Sequence, residues 1–225
     1  ADTVIPISDY IARDLRDIGR IEGLETIENG VDFDRLQEIP TEDTDWDVIY
    51  VGRLSEHKNV DMLLEAIDSA SSQLDTTVSC GIIGDGPERE QLEEYADKLD
   101  IDTHVDFLGF VEADEAVIGN IKAASVFVLP STREGFPNTI LEANACGVPT
   151  IVIDHEENGS TAVVEDGVTG FITEDSAEAI AEKLMRCLTD DALLAELSTG
   201  ATAFGRAHDW DVIVDELEDV YSSVV

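Results

Sequence analysis

Two carboxylates, Glu134 and Glu142, stand with seven residues between them in the stretch 125–150, SVFVLPSTREGFPNTILEANACGVPT. The apolar run Val126 to Leu129 is closed by Pro130, a polar loop carries Glu134, and Pro137 falls where a helix takes its first turn. This reads as strand, loop and helix start. With residues 138–146 helical, Glu142 lies about one turn in, while Glu134 stays on the loop at the strand's carboxyl end. A helix start presents unpaired N–H groups and a partial positive charge that attract phosphate, and carboxylates beside it accept hydrogen bonds from hydroxyls. A ligand carrying both groups, such as a nucleotide-sugar, suits that chemistry. The spacing alone is cheap in so acidic a chain, and the loop-and-helix context is what singles this pair out. The Asp-x-Asp patterns at Asp45 and Asp47, Asp100 and Asp102, and Asp209 and Asp211 lack such a context and read as solvated charge. No metal site is expected.

Other residues able to do chemistry close further apolar runs. Gly52-Arg53-Leu54 is followed by Lys58, in a chain with only four lysines. Both cations can neutralise a diphosphate, although on spacing alone a solvated loop charge is an equal reading. Gly84-Asp85-Gly86-Pro87 resembles half of a dinucleotide fingerprint, a weak signal alone, and without context reads first as an ordinary tight turn. Gly109-Phe110-Val111 offers backbone groups to a base, unless Phe110 belongs to the core. Asp154 to Ser160, DHEENGS, is expected to line the same crevice. His57, His104, His155 and His208 show no ligand spacing, and Cys80, Cys146 and Cys187, far apart in apolar surroundings, read as buried small hydrophobes.

These positions need a frame, and an α/β alternation supplies it. Strands are predicted at 48–51, 78–83, 105–108, 126–129, 150–153 and 170–173, with helices at about 59–72, 88–99, 112–123 and 138–146. The pattern predicts a doubly wound parallel sheet with helical crossovers, in which ligands bind outside the carboxyl ends of the strands. After Asp175 the sequence turns helical: Ser176 can cap a helix to about Leu188, Asp190 or Asp191 the next to about Ala207, and a last one runs from about Trp210 to Tyr221. Residues 4–8 read as a short strand, Ser8 as the cap of a helix to about Gly19, and 25–29 as a second strand ending at the Asn29-Gly30 turn. The acidic stretch 32–47, with Pro40, suits a linker.

The 225 residues are 43% hydrophobic, enough for a real core, yet 51 acidic residues against 13 basic give a formal charge of −38. Such a charge repels nucleic acid and anionic lipid. The acids are spread along apolar-periodic segments rather than gathered in a tail, which suits a solvated surface adapted to high salt and a haloarchaeal cytoplasm. No signal peptide and no run of about 18 apolar residues is present, so no membrane contact is expected from this part. A chain opening at Ala1 in ADTVIPIS is expected to be cut from a longer one.

In this order the motifs resemble the family 4 retaining glycosyltransferases of the GT-B fold, and within them the C-terminal, Rossmann-like donor-binding half with its C-terminal helices. The matching elements are NGVD (29–32), VGRLSEHKN (51–59), GDGP (84–87), FLGFV (107–111), PSTREGFPNTILEANACGVPTI (130–151) and VVEDGVTGFI (163–172). The resemblance implies that Arg53 and Lys58 bind the donor diphosphate and stabilise the departing phosphate, and that Glu134 contacts the sugar hydroxyls beside the Gly135, Phe136, Pro137 and Asn138 backbone. It implies further that Thr139 faces the diphosphate, that Glu142 binds the ribose, and that Gly52, Gly84, Phe110 and Val111 surround the base. Hexosyl transfer with retention, from a UDP- or GDP-linked sugar and with neither cofactor nor metal, is the implied activity. The implied division is 1–31 as the remnant of an acceptor domain, 32–47 as linker, 48–207 as donor domain and 208–225 as a helix crossing back. The acceptor, a sugar or a lipid-linked sugar, would be held by a domain absent from this chain, at the inner face of the membrane if lipid-linked, so the chain alone is expected to transfer little. The rivals are a non-catalytic nucleotide-sugar-binding module, another GT-B enzyme such as a sugar-nucleotide epimerase, a phosphorylase, for which no pyridoxal lysine motif stands out, and a nicotinamide-dependent enzyme, for which the third fingerprint glycine is lacking.

Overall fold

The computed structural model describes residues 3–19 and 22–223, so the ends of the expected segments 1–31 and 208–225 fall outside the described residues. Six parallel strands form one sheet in the order β3-β2-β1-β4-β5-β6. They are β1 (Trp46–Val51), β2 (Cys80–Ile83), β3 (Val105–Gly109), β4 (Ala124–Leu129), β5 (Thr150–Ile153) and β6 (Gly170–Thr173). The last four residues of each central strand, 48–51 and 126–129, are unbroken apolar runs because both of their faces are covered, and Val48, Ile49, Val126 and Phe127 are fully buried. β3, at the sheet edge, alternates buried and exposed residues instead.

Helices α3 (Val60–Leu74), α4 (Arg89–Lys98), α5 (Asp114–Lys122) and α6 (Asn138–Ala145) alternate with the strands, within a few residues of the sequence expectation. α7 (Ala177–Thr189) packs against α3 on one side, and α8 (Asp191–Ala207) packs against α6. Ser176 and Asp190 cap α7 and α8 through bonds to Ala179 N and Leu193 N, which settles the choice between Asp190 and Asp191. Cys80 and Cys187 are buried, Cys146 is half-buried, and all three are free thiols. No described helix is long and apolar enough to cross a membrane.

Three local expectations are corrected. The stretch 32–47 is not plain linker: Asp32 accepts from Arg35 N and starts α2 (Phe33–Glu38), which buries Phe33 and Leu36 in the main core. Residues 4–8 and 25–29 form no strands, only an isolated parallel bridge of Val4 with Leu24, extended by single bonds from Glu25 N to Val4 O and from Ile27 N to Pro6 O. Pro6 has no N–H to continue a ladder. Pro137 sits one residue before α6, not in its first turn, with φ −85° and ψ 93°.

Helix α1 (Asp9–Asp17), capped by Ser8 as expected, lies near the start of the chain, and α9 (Trp210–Ser223) ends it. α9 buries Ile213 and Val220 with Ile27 in a small second cluster. Its entry is pinned to the segment before α2. Val31 N donates to His208 O, Trp210 N to Val31 O and Phe33 N to Asp209 Oδ2, and His208 Nε2 lies 2.9 Å from Glu28 Oε2.

Candidate functional site

Strands run outward in sequence from β1 on one side of the sheet and from β4 on the other, so the order reverses between β1 and β4. A crevice opens at such a switch point outside the carboxyl ends, and the loops after β1 and β4 border it. These loops are the ones that carry Arg53, Lys58 and Glu134.

The loops after β1, β2 and β3 are stapled together. Gly52 N donates to Ile83 O, Leu54 N to Asp85 O and Gly84 N to Gly109 O, at 2.8–3.0 Å. A Cβ on Gly84, whose φ is +140°, would lie 1.8 Å from Gly52 O, and one on Gly86 2.0 Å from Leu54 O. These two glycines therefore let two loop backbones touch, which is the physical content of the half fingerprint. Beside them is a cavity of about 650 Å³ lined by Gly52, Arg53, Gly84, Phe110, Val111 and Val117 among others. Its walls are mostly apolar. Phe110 is 75% exposed, so it is not a core residue.

Lys58 ends a short 3₁₀ turn, Glu56–Lys58, and its Nζ pairs with Glu134 Oε1. Both side chains are largely buried. His57 O accepts from Thr132 N and Ser131 Oγ, and Asn59 Nδ2 donates to Pro130 O, so the loops after β1 and β4 are locked to each other. The loop 154–160 joins them as expected, with Glu134 N donating to Glu157 O and Gly159 N to Glu134 O. Ser8 Oγ reaches across to Gly135 O at 2.8 Å.

The helices that follow β1 to β4 carry no side-chain cap, whereas α1, α2, α7 and α8 are capped by Ser8, Asp32, Ser176 and Asp190. Of the four uncapped helices, α6 alone has no acidic residue in its first turn. In a chain of this charge, that leaves its start the most favourable of the four for an anion.

Glu142, in the second turn of α6, lines a separate cavity of about 280 Å³ with Asn29, Arg35, Asp114, Asn138 and Trp210. Burial first, and then the Asp114 charge, push its carboxyl up to about 7, against the pull of Arg35. The structure thus groups the expected residues in three sets: Gly52, Arg53, Gly84, Phe110 and Val111 at one cavity, Lys58 with Glu134, and Asn138 with Glu142 at the second cavity. It does not turn Phe136 and Pro137 outward. Phe136 packs on the core and Pro137 is buried, so only their backbones are available, while Thr139 is half-buried and lines neither cavity.

Sequence reasoning missed two supporting residues. Tyr50 is fully buried, with its hydroxyl donating to Arg53 O at 3.1 Å, which fixes the turn that presents Arg53. Asn29 donates through Nδ2 to Asn138 Oδ1, tying the segment before α2 to the start of α6. The turn expected at Asn29-Gly30 does not form, since residues 25–30 run without a turn, and nothing local marks Asn29 or Tyr50 for these contacts.

The sequence profile of the family described as glycosyl transferases, group 1, matches residues 32–204. An uncharacterised glycosyltransferase of Methanocaldococcus jannaschii is 27% identical over all of this chain and 60% of its own length. A D-inositol 3-phosphate glycosyltransferase of Salinispora tropica is 35% identical over 79% of this chain and 38% of its own length. The chain thus spans about two fifths to three fifths of these relatives. Among solved structures, Anabaena HepE in complex with UDP and glucose superposes with a TM-score of 0.85 at 24% identity, over 99% of this chain and 64% of that one. That likeness bears on the fold.

Proposed function

Because the chain belongs to the glycosyl transferases of group 1, we propose that it is the donor-binding part of a retaining, metal-independent glycosyltransferase of the family 4 type, which moves a hexosyl group from a UDP- or GDP-sugar to an acceptor. The observation that carries this reading is the gathering at the switch point of a cavity edged by Arg53, a paired Lys58 and Glu134, and the uncapped, acid-free start of α6. The base enters the apolar cavity against Phe110, Val111 and the Gly84 backbone. The diphosphate lies at Arg53, Lys58 and the start of α6, the ribose hydroxyls donate to Glu142, and the sugar hydroxyls donate to Glu134.

In the reaction the bond from the anomeric carbon to phosphate breaks, negative charge grows on the leaving diphosphate and the sugar becomes oxocarbenium-like. Fixed cations and a helix start already stand where that charge develops, so they favour the transition state over the ground state. The acceptor hydroxyl attacks from the face the diphosphate leaves, which retains configuration. No cofactor takes part.

We assign residues 48–207 to the donor domain, 1–31 to the edge of an acceptor domain, 32–47 to the connection that includes α2, and 208–225 to the crossing helix. The acceptor, a sugar or a lipid-linked sugar, is held by a part of the longer protein beyond this chain. The source is a halophilic archaeon, and the site of action is the cytoplasm, at the inner face of the membrane for a lipid-linked acceptor.

Thermal unfolding in about 2 M KCl, with EDTA and millimolar UDP-, GDP- or ADP-sugars, tests the reading, because a ligand bound only by the folded chain raises its stability by RT ln(1 + [L]/Kd). A rise with the UDP- or GDP-linked donor supports it. No rise with any donor contradicts it.

A further inference from the structure

We propose that Glu134 is an internal competitor of the diphosphate for Lys58, so that re-forming their ion pair helps to expel the nucleoside diphosphate once the sugar has left. The inference rests on the donor-site reading above and deepens it.

The pair is built into the fold. The Lys58 and Glu134 side chains are only 16% and 12% exposed, and the main chain on both sides is held. Lys58 N donates to Ser55 O at 2.8 Å, Thr132 N to His57 O at 2.9 Å, and Gly159 N to Glu134 O at 2.8 Å. Ion pairs withdrawn from water in this way are screened far less than surface pairs. The held main chain keeps the two side chains within reach of each other, so the ammonium and the carboxylate pair when no ligand intervenes. Arg53 differs. It is exposed, and among the described residues no carboxylate pairs with its guanidinium, so it holds a phosphate without a rival.

The consequence depends on whether the sugar is present. In the donor complex the sugar hydroxyls donate to Glu134, which satisfies the carboxylate and keeps it apart from the phosphates. After transfer the sugar is gone, and an ionised Glu134 stands next to a diphosphate that shares its lysine. Like charges that share one lysine repel in a partly buried site, and the carboxylate regains Lys58 as the diphosphate leaves. Glu134 thereby lowers the affinity for product while raising it for donor. A residue that merely touched the sugar would leave free nucleoside diphosphate unaffected.

The test is a calorimetric titration of the wild-type chain and of Glu134→Gln, Lys58→Met, Arg53→Met and the Glu134→Gln/Lys58→Met double variant. The ligands are UDP and GDP, whichever binds the wild type more tightly being carried through, and the corresponding glucose nucleotide. The fold contacts of Glu134 run through its main chain, which Gln keeps, and melting temperatures check each variant. Glu134→Gln is expected to tighten the free diphosphate about ten-fold, equivalent to ~1.4 kcal/mol, and to weaken the sugar nucleotide. In the Lys58→Met background the same change is expected to alter diphosphate affinity by less than about two-fold, because the object of competition is gone. Unchanged or weaker diphosphate binding by Glu134→Gln, with Lys58→Met still impaired, overturns the competition and leaves the donor site standing. Diphosphate binding that is absent in the wild type, or indifferent to both Lys58→Met and Arg53→Met, overturns the donor-site reading itself.

Discussion

At the level of single residues, the proposed ribose contact of Glu142 would tie proton uptake to ligand recognition. Its carboxyl sits at about 7 in the folded chain, against 4.5 for an ordinary glutamic acid, through burial and then Asp114. A raised folded-state value means that the folded form holds a proton that the unfolded form has lost between these two values. This contribution to stability is therefore present at pH 4, declines as pH rises from about 4.5 to about 7, and is a constant penalty above that. Glu142→Gln removes the penalty, and the variant should be the more stable protein at pH 8, by on the order of 3 kcal/mol, but not at pH 4. On the proposed placement binding moves the other way, since ribose hydroxyls would donate to the ionised carboxylate. The affinity advantage of wild type over Glu142→Gln for a nucleoside diphosphate should shrink roughly ten-fold between pH 8 and pH 6, where about one carboxyl in ten is ionised. Titrations of both proteins at the two pH values check it; a ratio independent of pH would remove Glu142 from the ribose.

At the element scale, the site depends on how closely the loops after β1 and β2 approach. Gly84→Ala forces a Cβ to 1.8 Å from Gly52 O at a φ of +140°, so the loops must part, at a cost of about 1–3 kcal/mol or more. Donor affinity should fall with it, because the parted loops are the floor of the Arg53 cavity. Gly167→Ala is the control: its φ is +73° but nothing lies within 4 Å, so it carries backbone strain with no effect on binding. Equal donor affinity for the two variants, measured by titration, would contradict the role given to Gly84. The frame itself is legible in the sequence because short apolar runs alternate with helical patterns, unbroken in the buried halves of β1 and β4, and all six strands fall where expected, β5 and β6 to the residue. Helix α2 was not legible: Phe33, Leu36 and Ile39 recur at helical spacing, but the surrounding acids and Pro40 read as linker. The pairings of Tyr50 with Arg53 O, Asn29 with Asn138 and Ser8 with Gly135 O were illegible for another reason, since each joins groups that only tertiary folding brings together or orients. Lys58 and Glu134 were found individually, but their mutual contact was not, because 75 residues separate them in the chain.

At the scale of the whole molecule, the formal charge of −38 dominates, and cations pair with few of the carboxylates responsible. Self-repulsion of this size destabilises the compact state until salt shortens the Debye length to roughly 3 Å near 1 M. The melting temperature should therefore rise by at least ~10 °C between dilute buffer and 2 M KCl, about 3 kcal/mol for a chain of this size. A melting temperature indifferent to KCl would contradict the halophilic reading. Where a nucleotide sits is tested most directly by a crystal structure of this chain with the nucleoside diphosphate that raises its melting temperature most. The base should lie in the cavity between Gly84 and Phe110, the ribose on Glu142 and the diphosphate between Arg53, Lys58 and the start of α6. A nucleotide bound anywhere else, or one whose phosphates touch neither Arg53 nor Lys58, would contradict it.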